Sequence, residues 1–319
     1  MSLYSASPNL SIVVPTYNRE NILKNWLQCH ADLMFQCGVR IHIQDNLSTD
    51  GTRLLLESWK KRFSNISYAV NNHNLSGPEN LEVALNAVNY DFVWLVGDTY
   101  EIDSALLNKI LSIVKNTSSL FLITNLEGRK KNFIKSELDF NLVFEELSGI
   151  LSCSSCVVYN KRLLGKIVFE EKSWSWFPHT LYILNQLRIK NAKAHWIPLS
   201  IEVLRSIDKK NWANTSDVFE IGCKNWIKSL DSVSGLSAKS KKKAYKTFSK
   251  ITNLFSFKGA VWLRAQGLLS FNLINHYKPY LKKSIGINYI LFYLIAIIPE
   301  SFSQILARIY NKYCKKKFS

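Results

Sequence analysis

The sequence predicts an α/β fold: a doubly wound, mostly parallel sheet with helices on both faces, followed by a C-terminal α-helical region. Three observations predict it. Short apolar runs alternate with segments of helical periodicity through the first hundred residues, the links between them are short, and beyond about residue 214 strand signals give way to lysine-rich helical ones. Strands and helices alternating in this way form a parallel sheet whose ligands bind outside the carboxyl ends of the strands.

Each element follows from its residues. Leu10 to Val14 is a short apolar strand, and after Pro15, Thr16, Tyr17 and Asn18 the residues Ile22, Leu23, Trp26, Leu27 and Leu33 recur at helical spacing. Val39, Ile41 and Ile43 alternate with Arg40, His42 and Gln44 as a second strand. The turn residues of DNLSTDGT then precede a helix carrying Leu55, Leu56 and Trp59, with Ser48 and Asp50 read as helix caps. Ser67 to Val70 is a weaker third strand, and Gly77-Pro78 opens a helix with Leu81, Ala84, Leu85 and Val88. Phe92 to Val96 is the fourth strand and runs into the acidic stretch GDTYEID. Beyond Asp103 the reading is a helix through Leu107 and Ile110, the strand LFLIT and the basic linker EGRKKNFIK. A strand over Leu151 to Tyr159 and a helix beginning near Pro178 and His179 follow, and there are no internal repeats.

At 319 residues, 47% of them hydrophobic and 20% charged, the chain can bury a substantial core. Its 9 Trp, 14 Tyr and 17 Phe exceed what such a core needs and suit a sugar site or a membrane interface. The net charge of +17 sits in the C-terminal third: residues 200–319 hold 21 Lys and Arg against 6 Asp and Glu, and residues 1–199 hold 20 against 18. Such a region suits a polyanion, whether nucleic acid, anionic lipid or diphosphate. The apolar run from Ile285 to Ile298 has 14 residues, fewer than the roughly 20 that span a bilayer. Lysines before it and ARIYNKYCKKKF after it point to an in-plane helix pair held by acyl burial and anionic lipid. The 6 cysteines, with no secretory signal ahead of the first strand, lead to the expectation of a cytosolic, reducing location. Cys153 and Cys156 have a redox or half-zinc spacing without a second pair and are read as small buried residues of a strand.

LSIVVPTYNRE, IQDNLSTDGT and NLSGPENLEVALNAVNYDFVWLVGD, in that order, resemble the nucleotide-binding half of the family 2 glycosyltransferases of the GT-A fold, a Rossmann-like architecture. The resemblance covers residues 8–125 well, continues loosely to 212 and stops there. It looks closest to bacterial transferases that build O-antigen or capsule repeats, including those similar to abequosyltransferases. It implies a GT-A domain over 1–212, with a nucleotide-binding half at 1–125 and an acceptor half at 126–212. The helical region 213–319 would follow, with 283–319 contacting a membrane.

The resemblance implies that Pro15, Thr16, Tyr17 and Arg19 line the nucleotide pocket, where a Tyr ring can stack on a base. Asp45 and Asn46 stand where the family typically has acids that read the base. Either oxygen can accept an imide N–H and Asn can also donate, so the base identity stays open. Asn80 either faces the same pocket or caps its own helix. Gly97, Asp98, Thr99 and Tyr100 stand at the donor diphosphate, where the family usually carries two or three acids, the last of which holds Mg²⁺ or Mn²⁺. Here Tyr100 takes that last place, and a neutral phenol is a poor metal ligand. Three arrangements stay open: Glu101 holds a metal, Asp98 holds it with water, or no metal is used and Arg205, Lys209 and Lys210 supply the charge. The incomplete motif favours weak or absent metal dependence.

An inverting transfer also needs a base for the acceptor hydroxyl. The family places an acid at a helix start in the acceptor half. His179 matches that position, with Glu170 and Glu171 as rivals, and Trp174, Trp176 and Phe177 beside it could stack on a sugar. The expected protein is an inverting transferase on the cytoplasmic face of a bacterial inner membrane. It would move a sugar from a nucleotide-diphosphate sugar to a lipid-diphosphate-linked oligosaccharide. A sugar nucleotidyltransferase would carry a Gly-rich loop that PTYNRE lacks. A nucleic-acid binder would carry a reader motif, so no nucleic acid is expected as partner. The alternatives are a catalytically impaired scaffold or binding protein in a polysaccharide assembly complex, or a nucleic-acid-binding protein that uses the basic C-terminal third.

Overall fold

The first apolar run becomes β1 (Leu10–Thr16), a central strand flanked in parallel by β2 (Arg40–Asp45) on one side and β4 (Phe92–Leu95) on the other. The computed structural model describes residues 9–128, 133, 135–170, 175–204, 215, 217–285 and 288–315. They fall into two compact units. One joins Met1–Val143, Leu151–Trp174 and Pro178–Lys209; the other joins Phe144–Ile150, Ser175–Phe177 and Lys210–Ser319. The second unit includes two short stretches, Phe144–Ile150 and Ser175–Phe177, that no shift in composition marks.

In the first unit β2 pairs in parallel with β3 (Ile66–Val70), and α1 (Glu20–Gln36), α2 (Thr52–Arg62) and α3 (Gly77–Asn86) make the crossovers. Local chemistry sets where these helices start. The Asp50 carboxylate accepts from the backbone N–H of Glu20 at 3.1 Å and of Thr52 at 3.0 Å, so one side chain serves the first turns of both α1 and α2. Ser76 and Glu79 form a capping box on α3. Asp103 accepts from Leu106 N at 2.7 Å to start α4 (Ser104–Val114). Pro15 is tolerated in a central strand because β4 pairs only with Leu10 to Val13, so the missing N–H falls beyond the ladder.

The sheet is completed by β5 (Tyr100–Glu101), which precedes α4, and beyond α4 by β6 (Phe121–Leu126), β7 (Glu137–Leu138), β8 (Val157–Asn160) and β9 (Ala194–Val203). Its order is β3-β2-β1-β4-β8-β6-β9-β5, with β7 also on β9. Pairings β4·β8, β6·β8, β5·β9 and β7·β9 are antiparallel, so among the described residues the sheet is mixed where the sequence predicted a mostly parallel one. The alternating pattern that foretells a parallel sheet ends at β4, and antiparallel neighbours need no helical crossover to announce them. The strand expected from Leu151 is also shorter. Ser154–Cys156 is a 3-10 turn, and only Val157 onward is strand. Trp26, Phe92, Trp94, Phe121 and Tyr159 are fully buried in this unit.

The second unit is helical. Phe177 packs edge-on against Trp226 and Phe248, with ring centroids 5.1 and 5.8 Å apart, and Phe219 stacks on Tyr277 at 5.7 Å. Among the described residues no single helix is long and apolar enough to cross a membrane. The helix Ala238–Thr252 lies so close to Gly149 that a Cβ there would stand 2.6 Å from the carbonyl carbon of Thr247. Gly149→Ala is therefore expected to cost about 1–3 kcal/mol by overpacking. It should lower the urea midpoint at unchanged slope, and an unchanged midpoint would show that the two backbones can separate freely.

Candidate active site

Chain order reverses at β1: β2 and β3 extend the sheet to one side and β4 to the other, so the crevice at the carboxyl ends of β1 and β4 is the topological switch point. The last residues of β1 and β2, Thr16 and Asp45, are register partners. Both are buried, and both hold an oxygen, Thr16 Oγ1 and Asp45 Oδ2, that has no partner among the described residues. The other Asp45 oxygen is committed, accepting from Ser48 N at 3.1 Å and from Ser48 Oγ at 2.5 Å. Ser48, expected as a helix cap, thus ties loop to loop, and its Oγ also accepts from Asn18 N at 2.8 Å. Tyr17, next to Thr16, is 43% exposed.

Asn46 is differently placed. Its amide nitrogen donates to Leu75 O at 2.9 Å and to Asn74 Oδ1 at 3.2 Å, while its oxygen accepts from Leu75 N at 2.9 Å and from Asn71 Nδ2 at 2.8 Å. Asn71 also donates to Asn80 Oδ1 at 2.9 Å and accepts from Gln44 Nε2 at 2.6 Å. The side chains of Asn46 and Asn80 therefore brace the loop between β3 and α3. At the end of β2 it is Asp45, not Asn46, that keeps a side-chain oxygen unpaired among the described residues.

At the end of β4, Gly97 N donates to Ser155 Oγ at 2.9 Å, and a Cβ on Gly97 would stand 3.4 Å from the Tyr100 ring. Asp98 is 1% exposed and accepts from Arg19 Nη1 at 2.5 Å. Thr99 is buried, and its carbonyl accepts from Leu204 N at 2.9 Å. Tyr100 hydrogen-bonds Cys153. Charge repulsion from that thiol, then burial, raise the phenol well above its ordinary range, so it stays neutral. Two α1 side chains that the sequence did not single out for the site grip this stretch. Trp26 Nε1 donates to Tyr100 O at 2.9 Å, and His30 Nε2 accepts from Ile102 N at 3.0 Å while its Nδ1 donates to Trp26 O at 2.7 Å. The two rings lie one turn apart and stack with centroids 4.4 Å apart. That spacing was legible, but it reads equally as core.

A divalent ion such as Mg²⁺ or Mn²⁺ wants several hard oxygen ligands, and the donor set here does not fit one. Asp98 is bound to Arg19, Tyr100 is turned to Cys153, and Glu101 is exposed on β5 with its charge felt by Cys29 of α1. Among the described residues no three His, Cys, Asp or Glu come together as a metal site. Arg205, Lys209, Lys210, Glu171 and Trp174 lie outside the described residues. Glu170 is exposed, Trp176 is 53% exposed, and Phe177 is committed to the core of the second unit.

His179 begins the helix Pro178–Ile189 as expected, but it is only 4% exposed, with Nε2 3.3 Å from Ser152 O. Burial pulls it, like His30, down to about 4, so both rings are neutral in the fold. Between that value and about 6.5 the unfolded chain binds more protons than the folded one. Stability is thus full above about pH 6.5 and is lost as pH falls, by up to about 1.4 kcal/mol per pH unit for each ring. Urea midpoints should fall between roughly pH 6.5 and 4, and more gently in His179→Gln. A slope identical in that variant would contradict the assignment.

Residues 11–147 match the family described as Glycosyl transferase family 2. Abequosyltransferase RfbV of Salmonella typhimurium is 21% identical, the match covering 64% of this chain and 70% of the relative. GalNAc(5)-diNAcBac-PP-undecaprenol beta-1,3-glucosyltransferase of Campylobacter jejuni is 28% identical over 33% of this chain and 34% of its own length. Among solved structures, S. aureus TarS 1–349 in complex with UDP-GlcNAc superposes with a TM-score of 0.55 at 17% identity, covering 95% of this chain and 91% of that one. Mannosyltransferase PcManGT from Pyrobaculum calidifontis, in complex with GDP-Man and Mn²⁺, gives 0.55 at 12% identity, covering 98% and 89%. At these identities the structures speak to the fold, which is GT-A. Residues 11–147 thus match glycosyl transferase family 2, and the chain is a glycosyltransferase with a GT-A-like fold.

Proposed function

We propose that this enzyme transfers a sugar, with inversion, from a nucleotide-diphosphate sugar to a lipid-diphosphate-linked oligosaccharide in O-antigen or capsule synthesis. The observation that carries the donor half is the pair of orphaned oxygens, Thr16 Oγ1 and Asp45 Oδ2, adjacent at the ends of β1 and β2. A buried acceptor left unpaired costs about 1–3 kcal/mol. An imide N–H of uracil or thymine would satisfy Asp45, and the exposed Tyr17 ring is free to stack on such a base. The acceptor half is supported by the Campylobacter relative, whose name specifies a diphosphate-undecaprenol-linked sugar chain.

In the transfer the acceptor oxygen bonds the anomeric carbon opposite the diphosphate. The bond to the phosphate oxygen breaks with its electron pair leaving on the nucleotide, and the hydroxyl proton passes to a base. His179 is enclosed, so we assign the base to the acid pair that precedes it, Glu170 or Glu171. Glu170 is exposed and follows a segment pinned to α3: Asn86 Nδ2 donates to Ile167 O at 2.7 Å, and Phe169 N donates to Glu82 Oε2 at 2.5 Å.

The enzyme would work peripherally on the cytoplasmic face of a bacterial inner membrane. In the second unit Ile290, Leu294 and Ile297 of the helix Tyr289–Ile297, and Phe302, Ile305 and Ile309 of the helix Glu300–Lys315, are exposed at helical spacing. Lys239, Lys242, Lys243, Lys246 and Lys250 line a shallow cavity of about 600 Å³ with Glu145. Exposed apolar stripes and a lysine face suit acyl chains and anionic headgroups.

Two measurements test this reading. In a thermal-shift panel of UDP, dTDP, CDP and GDP, UDP or dTDP, whose bases carry an imide N–H, should raise the melting temperature, and Asp45→Ala should weaken its binding about tenfold or more. No shift with any of the four would sink the donor assignment. Full-length protein should sediment with vesicles rich in phosphatidylglycerol, and release should follow from added salt or from Leu294→Asp with Ile305→Asp. Equal sedimentation with neutral vesicles would remove the anionic surface from the proposal.

A further inference from the structure

We propose that the donor diphosphate is bound without a divalent cation, and that Arg19, steered by Asp98, is the side chain that takes its charge. This rests on the donor reading above and names the group that recognises the phosphates within it.

Arg19 closes the PTYNR turn after β1, and Asp98 lies in the turn that follows β4, the neighbouring strand on the far side of the switch point. Their ion pair therefore bridges the crevice in which a ligand of this sheet is bound. The two partners are unequally buried: the Asp98 side chain is 1% exposed and the Arg19 side chain 31%. A carboxylate enclosed this way fixes one edge of the guanidinium, while its other N–H groups, which have no side-chain partner among the described residues, remain for an oxyanion at the crevice. A planar guanidinium binds phosphate oxygens through paired N–H groups, and a group oriented in advance loses less freedom when it does so.

The same geometry works against a divalent ion. A cation placed on Asp98 would stand within a few ångströms of the Arg19 charge and be repelled by it. The groups that could help hold it are turned elsewhere, Tyr100 to Cys153 and Glu101 to the exposed edge beside Cys29 of α1. Tyr100 is itself held in that orientation, by Trp26 on its carbonyl and by Gly97 against its ring, so a simple rotation does not bring a ligand in. The fold family implies a metal at this edge; these residues place a fixed organic cation there.

The test is calorimetric titration of the full-length protein with the nucleoside diphosphate that scores in the thermal-shift panel, once in excess EDTA and once in Mn²⁺. The expected affinities agree within about threefold, less than the tenfold that one charge-assisted hydrogen bond is worth. Arg19→Gln should weaken the diphosphate about 10- to 100-fold while leaving the free nucleoside, which lacks phosphate, bound as in wild type, and Arg19→Lys should recover part of the loss. Binding seen only with Mn²⁺ overturns the inference and leaves the donor reading standing. So does an Arg19→Gln affinity equal to wild type. Absence of binding in both buffers removes the donor reading and the inference with it. The comparison of the two buffers uses wild-type protein, so it decides the matter even where a variant fails to fold.

Discussion

The candidate active site hangs on one constraint, the parallel pairing of β1 with β2 on one edge and β4 on the other. Parallel strands end on the same side of a sheet, so this pairing brings Thr16, Asp45 and Asp98 to a common rim although they are separated by tens of residues in the chain. The burial of β1 follows from the same fact. A strand with neighbours on both edges and helices on its faces must be apolar nearly throughout, as Leu10 to Val14 are apart from Ser11. Pro15 and Thr16 can break that rule because the ladder to β4 has already ended.

On that rim the polar side chains divide into those that hold loops and those left over. Asn18, Asn46, Ser48, Asp50 and Asn71 spend their hydrogen bonds on neighbouring loops and helix starts. Such bonds cost little when satisfied and fix the backbone around the crevice. Thr16 Oγ1 and Asp45 Oδ2 are the remainder, buried and unsatisfied. Other buried atoms of the fold are unpaired among the described residues too, Thr52 Oγ1 and Asn65 Oδ1 among them, but these two stand together at neighbouring strand ends beside the switch-point crevice, which makes them the candidate acceptors for a ligand. The division also explains why two adjacent residues, Asp45 and Asn46, end with different roles: only one of them has an oxygen to spare.

Rigidity is imposed on the acidic stretch from below. Trp26 and His30 of α1 hold the backbone of Tyr100 and Ile102, while Ser155 holds Gly97. The segment between them is thereby committed before any ligand arrives, which is the condition for recognising charge without reorganisation. In the second unit close backbone approach at Gly149 and an aromatic core around Trp226 and Phe248 do comparable work for packing. The apolar residues that this core does not consume are exposed at helical intervals.

The sequence by itself determined the strand–helix alternation to β4, the helix starts at Asp50, Gly77 and Asp103, and the strand ends that form the site. These are written in local patterns: apolar periodicity, capping residues, and turn residues within a few positions of each other. It could not determine the antiparallel half of the sheet, because an antiparallel neighbour leaves no crossover to read. Nor could it assign Asn46, whose partners lie 25 to 29 residues away, or pair Arg19 with Asp98 across 79 residues. The burial of His179 and the turning of Tyr100 toward Cys153 were hidden for the same reason. A side chain's residue type states what bonds it can make, but only the tertiary structure decides which partner reaches it first.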